Sequence, residues 1–233
     1  MPEQTAADAI SRVSAFSKHS SGSQVIDSLL DGGYREGRLT ELFGKSGGGK
    51  SQLAMQAVLL AARLGTRSLY IDTEGSFRPE RLGQMAKARG WETDGLLERI
   101  VYVRSDSSSE QMETIRGMAK RESTSSCRLV VVDTLTRNFS VELPGRSNLS
   151  SRQAALNVHL SEMARDAYLH GRAYLLTNRV TFGSVSDVGI GGRTVEQLVH
   201  ASLRLDKSGG TLRVTLLPDG GSGITRITEA GVD

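Results

Sequence analysis

Cysteine occurs only once in the 233 residues, as Cys127, so no internal disulfide is available and the small disulfide-stapled secreted folds are excluded. No apolar run approaches the roughly 18 residues needed to cross a bilayer, and the polar start Met1–Ile10 lacks the apolar centre of a secretion signal. Both absences point to a cytoplasmic protein with no membrane partner. Aromatic residues number only 11, too few to suggest a platform for stacking bases, so any nucleic-acid affinity is expected to be electrostatic and to weaken with salt. Charge of one sign is also missing: 29 basic residues face 26 acidic ones, and any basic surface must come from local clustering. Lysine supplies only six of those 29, which leaves arginine, the planar bidentate donor to phosphates and carboxylates, as the dominant cation. His19, His159, His170 and His200 show no metal-ligand spacing, and no zinc site is expected.

What is present is enough apolar material for one core, 38% hydrophobic against 24% charged residues. Residues 1–21, rich in serine, read as a flexible lead-in, and residues 22–233 read as one domain without internal repeat or linker. From Arg38 onward short apolar runs alternate with helical stretches, the pattern of βαβ units and a mostly parallel sheet flanked by helices. Strands are expected at Leu39–Phe43, Ser68–Ile71, Ile100–Val103, Leu129–Val132 and Ala173–Thr177, all continuous runs suited to burial on both faces. Helices are expected at Ser51–Leu64, Pro79–Ala88, Ser109–Arg121 and Arg152–His170. After Ala201 the runs Leu203–Asp206, Leu212–Leu217 and Gly223–Ile227 are separated by glycine pairs, which predicts antiparallel strands closing one edge.

The chemistry concentrates at three strand ends. The first strand runs into Gly44-Lys45-Ser46-Gly47-Gly48-Gly49-Lys50-Ser51 and then a helix, the order required of a phosphate-binding P-loop. Gly44, Gly47, Gly48 and Gly49 let backbone N–H groups curl around phosphate oxygens, Lys50 supplies a point charge, Ser51 reaches Mg²⁺, and Gln52 follows on the same helix turn. The same letters also fit G-x-S-x-G, a nucleophile elbow, for which Ser46, Asp187 and His200 would form a hydrolase triad. Leu129–Asp133 has the form of a Walker B strand with Asp133 as second metal residue, although such an Asp also caps ordinary turns. In Ile71-Asp72-Thr73-Glu74-Gly75, Glu74 is the candidate base for an attacking water; an acidic helix-capping turn fits the same pattern equally well.

Taken with Leu29–Gly33, Tyr70–Arg81, Gly145-Arg146, Arg152-Gln153, Thr177–Val180, Leu203–Lys207 and Arg226–Thr228, these segments resemble the RecA-type recombinases of archaea and eukaryotes, most closely the short archaeal RadB group beside RadA. The resemblance covers nearly everything from Gly22 to Asp233. It implies a RecA-type fold that binds ATP, Mg²⁺ and single- and double-stranded DNA, hydrolyses ATP weakly, and assists a main recombinase or other recombination proteins. A homo-oligomer is implied too. By the same resemblance Glu74 activates water, Arg81 packs on adenine, and two loops face DNA. The first, Phe139–Ser151, offers Arg146 with nearby Arg152; the second, Val180–Gly192, is bounded by Arg179 and Arg193. A solvated surface charge explains Arg193 equally well. Three departures stand out. A Phe-x-x-Ala subunit tether is replaced by Phe16-Ser17-Lys18-His19, the γ-phosphate-sensing glutamine by Arg179, and the proline-containing ATP cap by the short Leu217-Pro218-Asp219-Gly220. Altered nucleotide sensing and loss of filament-coupled hydrolysis are therefore expected, as is a nucleotide-gated adaptor without significant turnover as the alternative.

Overall fold

The computed structural model describes residues 5–180, 189–218 and 220–233. Two short strands, β1 (Lys18–His19) and β2 (Tyr34–Arg35), pair antiparallel ahead of the main sheet. That sheet comprises β3 (Leu39–Gly44), β4 (Ser68–Asp72), β5 (Ile100–Arg104), β6 (Leu129–Asp133), β7 (Ala173–Arg179), β8 (Ala201–Ser208), β9 (Thr211–Leu217), β10 (Ser222–Thr228) and β11 (Gly231–Val232). Their order is β11-β10-β9-β8-β3-β7-β6-β4-β5. All pairings from β8 through β5 are parallel, and those from β8 outward to β11 are antiparallel. The α/β class and the mostly parallel sheet therefore stand as expected.

β8, β9 and β10 run antiparallel to one another as expected, and β8 joins the parallel part of the sheet by pairing with β3, Thr40 facing Ala201 and Gly44 facing Leu205. The helix Arg193–Leu198 carries the chain back to the strand-entry end before β8 begins, which makes a parallel crossover. β5 was expected to be buried on both faces but is the edge strand, with Tyr102 44% exposed. A continuous apolar run cannot by itself tell an edge from a centre. The helix expected over Ser109–Arg121 is also divided, into Ser108–Gly117 and a short turn of helix at Glu122–Ser125.

Alternation along β6 shows how the core divides. Leu129 and Val131 join Leu42, Tyr70, Leu175 and the helix Lys50–Arg63 on one face; Val130 and Val132 join Ile71, Tyr174, Leu176 and the helix Leu149–His170 on the other. Every residue of β6 is buried. In the lead-in, the helix Ala6–Ser14 buries none of its own residues. A capping box between Thr5 and Asp8 starts it, and docking on the domain holds it: Phe16 meets Tyr168 edge-on and Arg12 lies over the same ring. Among the described residues no helix is long and apolar enough to cross a membrane.

Two buried polar side chains tie distant segments together. Gln56, in the middle of the P-loop helix, donates to the carbonyls of Ser21 and Val232 and accepts from the Val232 amide at 2.7 Å, joining both ends of the domain. Substitution Gln56→Leu leaves those backbone groups unpaired in a dry site, and urea unfolding should show a loss of about 2–3 kcal/mol. The second is His159, buried against Phe139, whose Nε2 accepts from the Gln111 amide. Burial, with the Arg116 charge second, lowers its pKa to about 3. Above the unfolded-state value near 6.5 both states are neutral and the fold keeps its full stability. As pH falls below that, the unfolded chain takes up a proton that the folded chain refuses, until the pH reaches the folded value. About 1.4 kcal/mol is lost per pH unit in this window, roughly 2 kcal/mol by pH 5. Denaturation measured across that range should show a correspondingly flatter acid limb for His159→Gln.

Candidate functional site

Gly44 ends β3 where it passes so close to the Leu205 carbonyl oxygen of β8 that any side chain would collide with it. Gly49 then starts the helix Lys50–Arg63 with φ of 90°, a left-handed conformation that glycine adopts without strain. Between them the chain forms a loop from which Lys50 folds inward, its ammonium donating to the carbonyls of Gly44 and Lys45 at 2.9 Å each. Burial lowers the Lys50 pKa, opposed by the negative charges of Asp133 and Glu74.

Parallel pairing brings the neighbouring strand ends to the same place. Asp133, 2% exposed, accepts from Tyr70 at 2.6 Å, from Ser51 and Ser76 at 3.2 Å, and closely from Thr177. Desolvation and the Asp133 charge together push the Tyr70 phenol well above its ordinary pKa, so it remains a donor. Glu74 has both oxygens engaged, one by the Thr134 hydroxyl at 2.8 Å and the other by Arg179 at 2.6 Å. Ser46–Gln52, Glu74, Asp133, Thr134, Arg179, Lys207 and Ile227 line a pocket of about 320 Å³. Another cavity, about 680 Å³, opens beside Glu41, Val195, His200 and Leu217. It is roomier, yet the smaller pocket holds the glycine loop, the cations and the paired carboxylates, and chemistry rather than volume decides between them.

The position of Glu74 depends on Asp72, which sequence reasoning did not single out. Asp72 turns away from the pocket and accepts backbone N–H bonds from Glu74, Gly75, Ser76 and Phe77, at 2.8–3.1 Å. Of two carboxylates in one short motif, the strand-ending one braces the loop and the next one faces the pocket. Period-two alternation gives no signal here, since residues two apart share a face; the turn that follows β4 at Asp72 is what separates them. Lys207 was missed as well, and no local pattern reveals it: only the parallel pairing of β8 with β3 brings it to the phosphate loop.

Of the remaining candidates, Arg81 lies beside the first turn of the P-loop helix, donating to Gln52 at 2.9 Å and to the Thr228 carbonyl at 3.2 Å. The stretch Phe139–Ser151 begins inside a helix, Arg137–Glu142, and ends inside another that starts at Leu149. Arg146 is exposed in the turn between them, while Arg152 is helical and donates to the Leu143 carbonyl. Arg193 is exposed at the start of its own helix, which packs against the helix of Arg152. Most of the second loop, 181–188, lies outside the described residues, as do Asp187 and Asp219. The hydrolase alternative fails on geometry. His200 accepts from the Leu39 amide at the beginning of β3, whereas Ser46 follows its end, about 16 Å away along the strand.

Comparison with known proteins agrees with this architecture. The Rad51 family model matches residues 12–222. The DNA repair and recombination protein RadA of Ignicoccus hospitalis is 33% identical over 236 residues, covering 92% of this chain and 72% of that protein. RadA of Metallosphaera sedula is 34% identical over 234 residues, with the same coverage of each. A RecA-like sheet, a glycine loop at the end of its β3 strand and a family match over almost the whole chain lead to one conclusion: this protein belongs to the Rad51 family.

Proposed function

We propose that this chain is an ATP- and DNA-binding protein of homologous recombination and repair, of the short RadB type, which hydrolyses ATP weakly in the cytoplasm and assists a main recombinase. Support comes above all from one observation: Lys50, Ser51, Asp133, Glu74 and Arg179 converge on a single pocket beneath a glycine loop. Backbone amides of Gly47–Ser51 and the Lys50 ammonium would hold the phosphates of ATP, displacing the two carbonyls that Lys50 now contacts. Ser51 and Asp133, with oxygen atoms 3.2 Å apart, form an all-oxygen donor pair of the kind that magnesium shares with substrate phosphates. When bound there, Mg²⁺ would neutralise charge on the phosphates. Glu74 would orient the attacking water and accept its proton, and Arg179 would sense the γ-phosphate. Gln52 and Arg81 extend the pocket wall toward the base.

Weak turnover follows from two features. Arg179 replaces a neutral glutamine, and its ion pair occupies one oxygen of the proposed base. The same ion pair favours a second reading, an adaptor whose affinity for DNA or a recombination partner is gated by bound nucleotide without significant turnover. Arg146, Arg152 and Arg193 would contact the DNA backbone in either case, without reading sequence.

Titration with a fluorescent ATP analogue should show binding lost in Lys50→Ala, and retained binding there would overturn the nucleotide assignment. Glu74→Gln should keep nucleotide affinity while ATP turnover, with or without single-stranded DNA, falls about 100-fold or more. Turnover unaffected by Glu74→Gln would remove Glu74 as base. A wild type whose turnover is immeasurable, but whose DNA affinity changes with nucleotide, would select the adaptor.

A further inference from the structure

The residue immediately before β4, β5, β6 and β7 is an arginine each time: Arg67, Arg99, Arg128 and Arg172. These strands are adjacent, and Ser68 pairs with both Ile100 and Leu129 while Leu129 pairs with Ala173, so the four arginines lie in one register. Their backbones touch directly, the Arg128 amide donating to the Arg67 carbonyl at 2.9 Å. Matched register places all four Cβ atoms on one face, the one shared two residues later by Leu69, Val101, Val130 and Tyr174. Arg38, exposed, precedes β3 one residue out of step.

Only Arg172 is neutralised, buried against Asp166 at 2.8 Å. Among the described residues Arg38, Arg67, Arg99 and Arg128 have no ion pair closer than 4.0 Å. Glu36 feels the Arg128 charge but makes its close contacts with His19 and the Ser17 amide. Arg67 donates to the Ser123 carbonyl, Arg99 to that of Gly65, and Arg128 to those of His170 and Gly171. Such carbonyls at helix ends attract cations, which accounts for one nitrogen of each guanidinium. They do not account for a row. Arginines starting neighbouring strands, whose backbones are about 4.8 Å apart, repel one another, a cost that the carbonyl contacts offset only in part.

A partner with regularly spaced negative charge would reverse that penalty. From β5 through β4 to β6 the three arginines without an ion pair span two strand steps, about 10 Å. A DNA strand presents one phosphate per about 3.4 Å of axis, so about three fall within that length. We propose that the strand-entry end of the sheet, opposite the nucleotide pocket, is a second contact surface for the nucleic-acid phosphate backbone. This rests on the DNA-binding reading above and adds a surface that it does not contain.

The test is fluorescence anisotropy of single-stranded and duplex oligonucleotides across a salt series, with the full chain carrying Arg67→Gln, Arg99→Gln and Arg128→Gln together. Glutamine keeps an N–H donor for the carbonyls and removes the charge. Affinity at low salt should fall tenfold or more. The slope of log K against log salt should shrink by about 2–3 on duplex and about 2 on single strands, with the larger loss naming the substrate. ATP-analogue affinity should be unchanged, and arginine-to-lysine substitution at all three positions should restore the slope. The single Arg99→Glu, on the edge strand, serves if the triple variant does not fold and should reduce the slope by about 1. A wild type that binds no DNA sinks the broader reading. A wild type that binds, with slope and affinity unaltered in the variants, sinks the second surface alone, as does competition by polyglutamate as effective as by duplex DNA.

Discussion

A carboxylate almost removed from water controls this pocket. Asp133 is charged chemistry in a nearly dry position, and four hydroxyls from four different segments, Ser51, Tyr70, Ser76 and Thr177, are turned toward it. Each of those donors fixes something else. Ser51 sets the first turn of the P-loop helix, Ser76 belongs to the loop that presents Glu74, and Thr177 precedes Arg179 on the adjacent strand. A buried anion that must collect donors therefore pulls the glycine loop, Glu74 and Arg179 into one register. The loss of any one strand from this end of the sheet would leave that charge undersatisfied.

Charge is distributed along the strands with a clear polarity. At their carboxyl ends acids and bases are interleaved within hydrogen-bond distance, so that the pocket is poised for an anionic ligand with its own cation. At their amino ends Arg67, Arg99 and Arg128 contact carbonyls, while Arg172 is paired with Asp166. The first arrangement is costly to assemble and specific; the second is simpler, resting mostly on main-chain carbonyls. Separation by the length of the strands lets the two ends vary independently. The Arg179–Glu74 pair belongs to the first kind, a cation and an acid held at 2.6 Å on the wall of the pocket.

Much of the fold is legible along the chain because buried parallel strands are unbroken apolar runs and the helices between them start and stop at recognisable residues. Pro79 begins its helix where expected, and β3, β4, β6 and β7 extend the expected runs by one or two polar residues at the carboxyl end. Those extra residues are where Gly44, Asp72, Asp133 and Arg179 stand, at the end of the sheet where the strands give way to the loops around the pocket. An error came where local pattern carries no information on neighbours: β5 reads as central but is an edge.

The sequence by itself determined the phosphate loop, the two acidic strand ends and the identity of the family, since these depend on residues close together in the chain whose spacing is fixed by backbone geometry. Only the tertiary structure decided that Asp72 braces while Glu74 faces the pocket, that Arg179 binds Glu74, that Lys207 joins the site, and that four arginines share a register. Those facts depend on which strands lie side by side and how they are phased, and strand order is set by packing across the whole sheet, which no short segment encodes.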